Sequence, residues 1–167
     1  VGQNGGLILS LGSLEFRDGS ILRDGQAEHG GALYVDGNQS VVFQQASFLN
    51  NVAAAGNGGA IATASSFQGD VVGERFYFEG NSASALGGAL YLGGLTPALS
   101  LQNGTFFGNS AVDGAAIRLA ANNGASFMNN VTIAGNTASA GVALSYRDVA
   151  ASGRDQLINS VLVGNAG

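Results

Sequence analysis

The chain has 167 residues with 28 glycines, one proline, no cysteine and no tryptophan, and its six basic residues, all arginine, face eleven acids for a net charge of −5. With 46% hydrophobic and only 10% charged residues it is not a disordered polyampholyte. The near-absence of proline and of any three-residue glycine period excludes collagen, and the lack of cysteine excludes a disulfide scaffold or a thiolate metal site. An acidic chain without lysine lacks the basic face that nucleic acid needs, and no run of about 18 apolar residues is present to span a bilayer as a helix.

In chain order, Val1-Gly2-Gln3-Asn4-Gly5-Gly6-Leu7 reads as a degenerate passage through two motifs that become clear further on, and Ile21-Leu22-Arg23-Asp24 reads as a degenerate copy of the second. The first motif is Gly-Gly-Ala followed by a large apolar residue. It stands at Gly30-Gly31-Ala32-Leu33, Gly58-Gly59-Ala60-Ile61 and Gly87-Gly88-Ala89-Leu90, with looser copies at Gly114-Ala115-Ala116-Ile117 and Gly141-Val142-Ala143-Leu144. Its alanines are 28, 29, 27 and 27 residues apart. The second motif, a large apolar residue, two of any type and then Asn, stands at Phe48-Leu49-Asn50-Asn51, Phe78-Glu79-Gly80-Asn81, Phe106-Phe107-Gly108-Asn109, Ile133-Ala134-Gly135-Asn136 and Leu162-Val163-Gly164-Asn165. Counted from Asp24, its closing positions are 27, 30, 28, 27 and 29 residues apart. Two motifs holding one period mark a repeat architecture.

Each unit holds short runs of β-branched and aromatic residues punctuated by Gly, Asn, Asp and Ser, not the three-and-four spacing of helical repeats. Leu33-Tyr34-Val35, Leu90-Tyr91-Leu92, Arg75-Phe76-Tyr77-Phe78 and Val131-Thr132-Ile133 alternate. Val41-Val42-Phe43, Val71-Val72, Leu99-Ser100-Leu101 and Leu157-Ile158 form a more variable third run. Three strands per unit predict an all-β chain, a right-handed parallel β-helix (solenoid) of about six coils of 27–30 residues, as one domain over residues 1–167. Each coil adds about 4.8 Å along the axis. Phe48, Phe78, Phe106, Ile133 and Leu162 are expected to form one interior ladder, and Leu33, Ile61, Leu90, Ile117 and Leu144 a second. Asn51, Asn81, Asn109, Asn136 and Asn165 line one bend, where an Asn amide can bond the amides above and below and Asn tolerates left-handed backbone. The preceding Gly80, Gly108, Gly135 and Gly164 point to positive φ at the same bend. Loops are expected at Asp36-Gly37-Asn38, Gly93-Gly94-Leu95-Thr96-Pro97 and Ala150-Ala151-Ser152-Gly153. Because both ends fall near one phase of the repeat, the chain reads as a piece of a longer array or one that stacks on neighbours.

The pair Gly-Gly-Ala-[Ile/Leu] and Phe-x-x-Asn, alternating once per coil, resembles the repeat of the chlamydial polymorphic outer-membrane proteins (Pmp), and similar repeats occur in other large bacterial surface proteins. The resemblance covers nearly the whole chain. It implies a β-helical autotransporter passenger, adhesion as the activity, and an extracellular or outer-membrane-associated location.

Chemistry is sparse. β-Helical polysaccharide lyases and hydrolases need clustered carboxylates on one outer face, whereas the acids here are spread along the chain. Asp18 and Asp24 beside Arg17 and Arg23, the group Asp70, Glu74, Arg75 and Glu79, and the pairs Arg147-Asp148 and Arg154-Asp155 read as solvated faces or surface ion pairs. His29, the one histidine, reads as a solvent residue. No catalytic residue, metal site or cofactor is assigned, and no Asp-x-Asp-x-Asp spacing is present. The outward row beside the Gly-Gly-Ala ladder is Tyr34, Ala62, Tyr91, Arg118 and Ser145, so Tyr34, Tyr91 and Arg118 are the candidate contact face for a protein or glycan partner. The open coil ends are sheet edges expected to stack on flanking repeats or further copies. The reading is a non-enzymatic structural or adhesion module; a polysaccharide-acting enzyme and a phage tailspike-like fibre segment are the alternatives.

Overall fold

A computed structural model describes residues 3–94, 98–120, 125–146 and 155–167. Among these, the regular structure is β-strand and the paired strands run parallel, wound into a solenoid. One coil passes through Leu33–Val35, Val41–Gln44, Ser47–Leu49 and Val52–Ala53 before the next begins at Ile61–Thr63. The first face is a six-stranded sheet of Ile8–Ser10, Leu33–Val35, Ile61–Thr63, Leu90–Leu92, Ile117–Leu119 and Leu144–Tyr146, one strand per coil, so five full turns separate its ends. A long face takes two adjoining strands from each coil, fused into nine-residue strands at Leu99–Phe107 and Ser126–Ala134.

The coil has four strands where the sequence predicts three. The additional one has two residues, as in Val52–Ala53, Ser82–Ala83 and Ser110–Ala111, and stacks into a five-stranded narrow face. Two residues cannot display an alternation, which is why the pattern does not reveal it.

Like residues pile in register. Leu33, Ile61, Leu90, Ile117 and Leu144 pair in succession, as do Leu22, Phe48, Phe78, Phe106, Ile133 and Leu162. The rings of Phe48 and Phe78 lie 4.5 Å apart at 5°, and those of Phe78 and Phe106 lie 5.0 Å apart at 13°. Face-to-face stacking is not what isolated rings prefer; here the spacing of parallel strands, about 4.8 Å, imposes it. The core lies inside this column, with Phe43, Phe76 and Leu101 beside it. Leu162, in the last coil, is 48% exposed.

One register differs from the sequence reading. Leu22 pairs with Phe48 and Arg23 with Leu49, so Asp24 falls beside Asn50, and Gly25, not Asp24, takes the place of the ladder asparagine. Gly25 has no amide to offer; its own N–H donates to Asn51 Oδ1 at 3.0 Å. The opening glycines keep their predicted phase: Gly5 N–H donates to His29 O at 2.9 Å and Ile8 pairs with Leu33.

Positive φ sits one residue before each ladder asparagine: 54° at Asn50, 64° at Gly80, 63° at Gly108, 61° at Gly135 and 62° at Gly164. The ladder asparagines themselves do not carry it. A second left-handed column, Gln45, Arg75, Asn103, Asn130 and Asn159, makes the corner between the two strands of the long face and has no glycine to betray it in the sequence. At Gly108 a Cβ would meet nothing within 4 Å, so any cost of a side chain there is backbone strain alone. Gly108→Ala is expected to cost about 1–2 kcal/mol, and Gly108→Asn, the residue type at position 50 of the same column, clearly less. Urea unfolding of the two variants checks the order.

Candidate functional site

The asparagines of the narrow bend form a continuous buried amide ladder. The backbone N–H and Nδ2 of Asn51 donate to Asn81 Oδ1 at 3.0 and 2.9 Å, and Nδ2 also donates to Leu22 O at 3.0 Å. Asn81 repeats this toward Asn109 Oδ1 at 2.9 and 2.9 Å and toward Phe48 O at 2.9 Å. Asn109 does the same toward Asn136 and Phe78 O, and Asn136 toward Asn165 and Phe106 O. The side-chain amides of Asn81 and Asn109 thus each accept two hydrogen bonds and donate two, their full capacity. Asn51, Asn81, Asn109 and Asn136 are buried, so this column ties coil to coil and offers nothing to a ligand.

The outward row of the first face is in register as Tyr34, Ala62, Tyr91, Arg118 and Ser145. The structure brings Tyr34 and Tyr91 together around one lateral cleft of about 140 Å³, lined also by His29, Asn57, Ala62, Thr63, Ala64 and Ser65. His29 is more than a solvent residue. Its Nδ1 accepts the N–H of Asn57 in the next coil at 3.0 Å, and its ring packs against Tyr34 with centroids 6.3 Å apart. That acceptor role places the imidazole proton on Nε2 in the neutral ring. The signal for this anchoring lies in Asn57, one coil on, and not in the residues beside His29. Burial, then the charge of Asp36, then Tyr91, push the Tyr34 phenol up from its ordinary value, so it stays a protonated donor.

Arg118 belongs to a different group. Its Nη1 meets Asp113 Oδ2 at 2.5 Å and also donates to Ser145 Oγ. Ser145 Oγ donates to Asp113 Oδ2 at 2.7 Å, and Val142 N–H donates to Asp113 Oδ1 at 3.1 Å. The Arg118 side chain is 15% exposed and its Nε has no hydrogen-bond partner among the described residues. The guanidinium therefore turns toward its own sheet, one coil away from the tyrosine cleft.

Burial pushes the Asp113 carboxyl up, but the hydrogen bonds it accepts from Ser145 and Val142, the Arg118 charge and the Gly114 N–H outweigh this and hold it below the ordinary carboxylate value. A carboxylate lowered in the folded state stabilises the fold at every pH above its unfolded value, near ~3.9. That contribution drains away as pH falls through the folded value. Asp113→Asn is expected to lose about 2 kcal/mol at neutral pH. Below about pH 4 its stability and that of the wild type converge. Urea midpoints measured from pH 7 down to about pH 2 follow the two curves.

The remaining charges are dispersed. Arg17 pairs with Glu15, Arg23 with Asp24 at 3.7 Å and Arg75 with Glu74 at 3.2 Å, all exposed and of little energetic weight. Arg147, Asp148 and Arg154, and the predicted loops at Leu95-Thr96-Pro97 and Ala150-Ala151-Ser152-Gly153, lie outside the described residues. Among the described residues no three His, Cys, Asp or Glu side chains converge as a metal site, and no helix is long and apolar enough to cross a membrane.

Compared with known families, the chain matches the repeat of the Chlamydia polymorphic membrane protein family over residues 45–64 and 75–93. Each matched segment runs from the Phe-x-x-Asn bend through Gly-Gly-Ala into the first face, so it takes in one phenylalanine rung, one amide rung and one strand of the tyrosine-bearing sheet. No curated protein and no solved structure matches the chain.

Proposed function

We propose that this chain, a solenoid built on Pmp-type β-helical repeats, is a rigid non-enzymatic module of a bacterial cell surface, presenting its lateral faces for adhesion or for building a larger extracellular assembly. The observation that carries the reading is the repeat itself. Each segment that matches the family repeat sets one phenylalanine and one asparagine into the stacked columns. Those columns stiffen a scaffold and leave the outward rows free to vary, as a display surface requires.

Its partners are protein or glycan surfaces met by the outward rows, and coils that stack at the ends. Leu9 and Leu11 in the first coil and Val161 and Val163 in the last are exposed, as residues on unpaired edge coils are. The repeat, the dispersed acids and the stiff frame favour contact over catalysis.

Beads coated with the purified chain test this. They are expected to adhere saturably to cultured epithelial cells and to be displaced by soluble chain, while the chain leaves soluble polysaccharides intact. Adhesion no greater than that of uncoated beads, or release of reducing sugar ends, contradicts the reading.

A further inference from the structure

The two coil ends of the solenoid are not alike. Every rung of the amide ladder points one way. The backbone N–H and Nδ2 of one asparagine donate to Oδ1 of the asparagine in the following coil, and Nδ2 of that second asparagine donates back to a carbonyl of the phenylalanine column. A ladder with one direction leaves donors unused at its last rung.

At the first coil the ladder is closed. Gly25 stands in the asparagine place and carries no amide. Leu7 stands where the following coils have Ala32, Ala60, Ala89, Ala116 and Ala143. Its Cγ lies 3.0 Å from where a Cβ on Gly25 would be, so an apolar side chain covers the position. Leu22, in the phenylalanine place of that coil, is 7% exposed.

At the last coil the same columns are open. Asn165 Nδ2 donates to Ile133 O at 2.8 Å, but the Asn165 backbone N–H and its second Nδ2 hydrogen have no acceptor among the described residues. Leu162, in the phenylalanine column, and Leu157, in the column of Leu101 and Met128, are half-exposed, whereas the residues they pair with, Ile133 and Met128, are buried. Leu162 and Asn165 line one recess of about 480 Å³ with Ala143 and Leu144 of the preceding coil. These are the contacts that each coil makes to the next inside the chain, present here with no coil to receive them.

We propose that this coil end is a docking surface for a further β-coil that carries asparagine at its bend. Oδ1 of that asparagine accepts both unused donors of Asn165, its Nδ2 donates to Leu162 O, and a large apolar residue three positions before it closes over Leu162. The proposal rests on the stacking of coils at the ends given above and names what the partner coil must hold. Aspartate does not fit, because its second carboxylate oxygen would meet Leu162 O with no hydrogen between them. A second copy of this chain does not fit either: its first coil brings Gly25 and Leu7 to the place where Asn165 needs an oxygen.

The test extends the full chain by one coil. Ala166 bridges Thr137, which is in register with Ser110 and Ser82, so Gly167 holds the phase of Ala83. A copy of residues 84–111 placed after Gly167 therefore continues the winding and brings Phe106 and Asn109 of the copy over Leu162 and Asn165. Amide exchange followed by NMR is expected to slow at Asn165 by about tenfold or more, with a rise in the urea midpoint. Asn109→Ala or Asn109→Asp, made in the added copy alone, should return Asn165 to within about threefold of its exchange rate in the unextended chain. Exchange at Asn81, deep in the original ladder, verifies that each protein is folded. No slowing in the extended chain overturns the proposal. Equal slowing by all three copies also overturns it, and leaves a stacking of coils that is indifferent to asparagine. End-to-end rods of the unextended chain in electron micrographs would give the surface to a second copy and likewise overturn it. Beads that adhere while the added coil protects nothing would remove this docking surface and leave the adhesion reading standing. Protection that Asn109→Ala abolishes, with no bead adhesion, would do the reverse.

Discussion

Asn81→Ala is expected to destabilise the chain by on the order of 4 kcal/mol, enough to unfold a domain of ordinary stability or bring it to the edge. The side chain stands at the centre of four hydrogen bonds. Its Oδ1 accepts from the N–H and Nδ2 of Asn51, and its Nδ2 donates to Phe48 O and Asn109 Oδ1. All of these groups sit where bulk water does not reach, and a buried polar group left unpaired costs about 1–3 kcal/mol. A water entering the vacated space recovers part of the loss, which keeps the total well below the sum of four such penalties. Asn81→Asp is the sharper probe. It preserves shape and both accepted bonds but sets a carboxylate oxygen against Phe48 O and Asn109 Oδ1, so it should be at least as damaging as alanine. Asn165→Ala, at the half-exposed last rung, removes the same side chain where water replaces its partners and should cost about 1 kcal/mol. Urea unfolding by circular dichroism separates the three; equal small losses at Asn81 and Asn165 would mean that the ladder contributes nothing beyond ordinary turn residues.

The second large effect is expected at Gly104. A Cβ there would lie 2.2–2.3 Å from three atoms of the Phe76 ring in the preceding coil. That ring cannot retreat: it is packed edge-on against Phe43 at 5.4 Å, Phe78 at 5.8 Å and Phe106 at 5.3 Å. Gly104→Ala should therefore cost about 3 kcal/mol as overpacking of a closed core. Phe76→Leu vacates the contested space at a cost of its own, so the double variant should be more stable than the sum of the two losses by more than 1 kcal/mol. Simple additivity would show that the two side chains do not share a site. Gly73, whose Cβ would meet the Phe43 ring at 2.1 Å, repeats the arrangement one column away.

Much of this architecture is written in the period. The Phe-x-x-Asn and Gly-Gly-Ala series are the interior columns because a solenoid repeats its environment once per coil, and an environment that admits only phenylalanine or asparagine keeps asking for it. What the period does not carry is register inside a degraded copy: Leu22 stands in the phenylalanine column and Gly25 in the asparagine column, and with neither motif residue present the copy reads one place out. Nor does it carry complementarity between coils. Phe76 and Gly104 look like unrelated variation until their strands are stacked, when a large residue is seen to fill the room a glycine leaves. The candidate contact face was legible as a row but not as a site. Alternation placed Tyr34, Ala62, Tyr91 and Arg118 on one side, whereas the anchoring of His29 by Asn57 and the turning of Arg118 toward Asp113 and Ser145 depend on residues about a coil away in sequence.

The winding itself is open to direct measurement, because a chain without cysteine accepts paired spin labels at chosen sites. Ile21, Ser47, Tyr77, Thr105, Thr132 and Val161 form one outward row in successive coils. Labels at Ile21 paired with Thr105, Thr132 or Val161 span three, four and five coils. Electron-spin distances, corrected for the label arms, should then rise in equal steps of about 4.8 Å, from about 14 through about 19 to about 24 Å. Distances that fail to climb in even steps along this row would contradict a coil in which like residues stack, and with it the ladder and the display surface built on them.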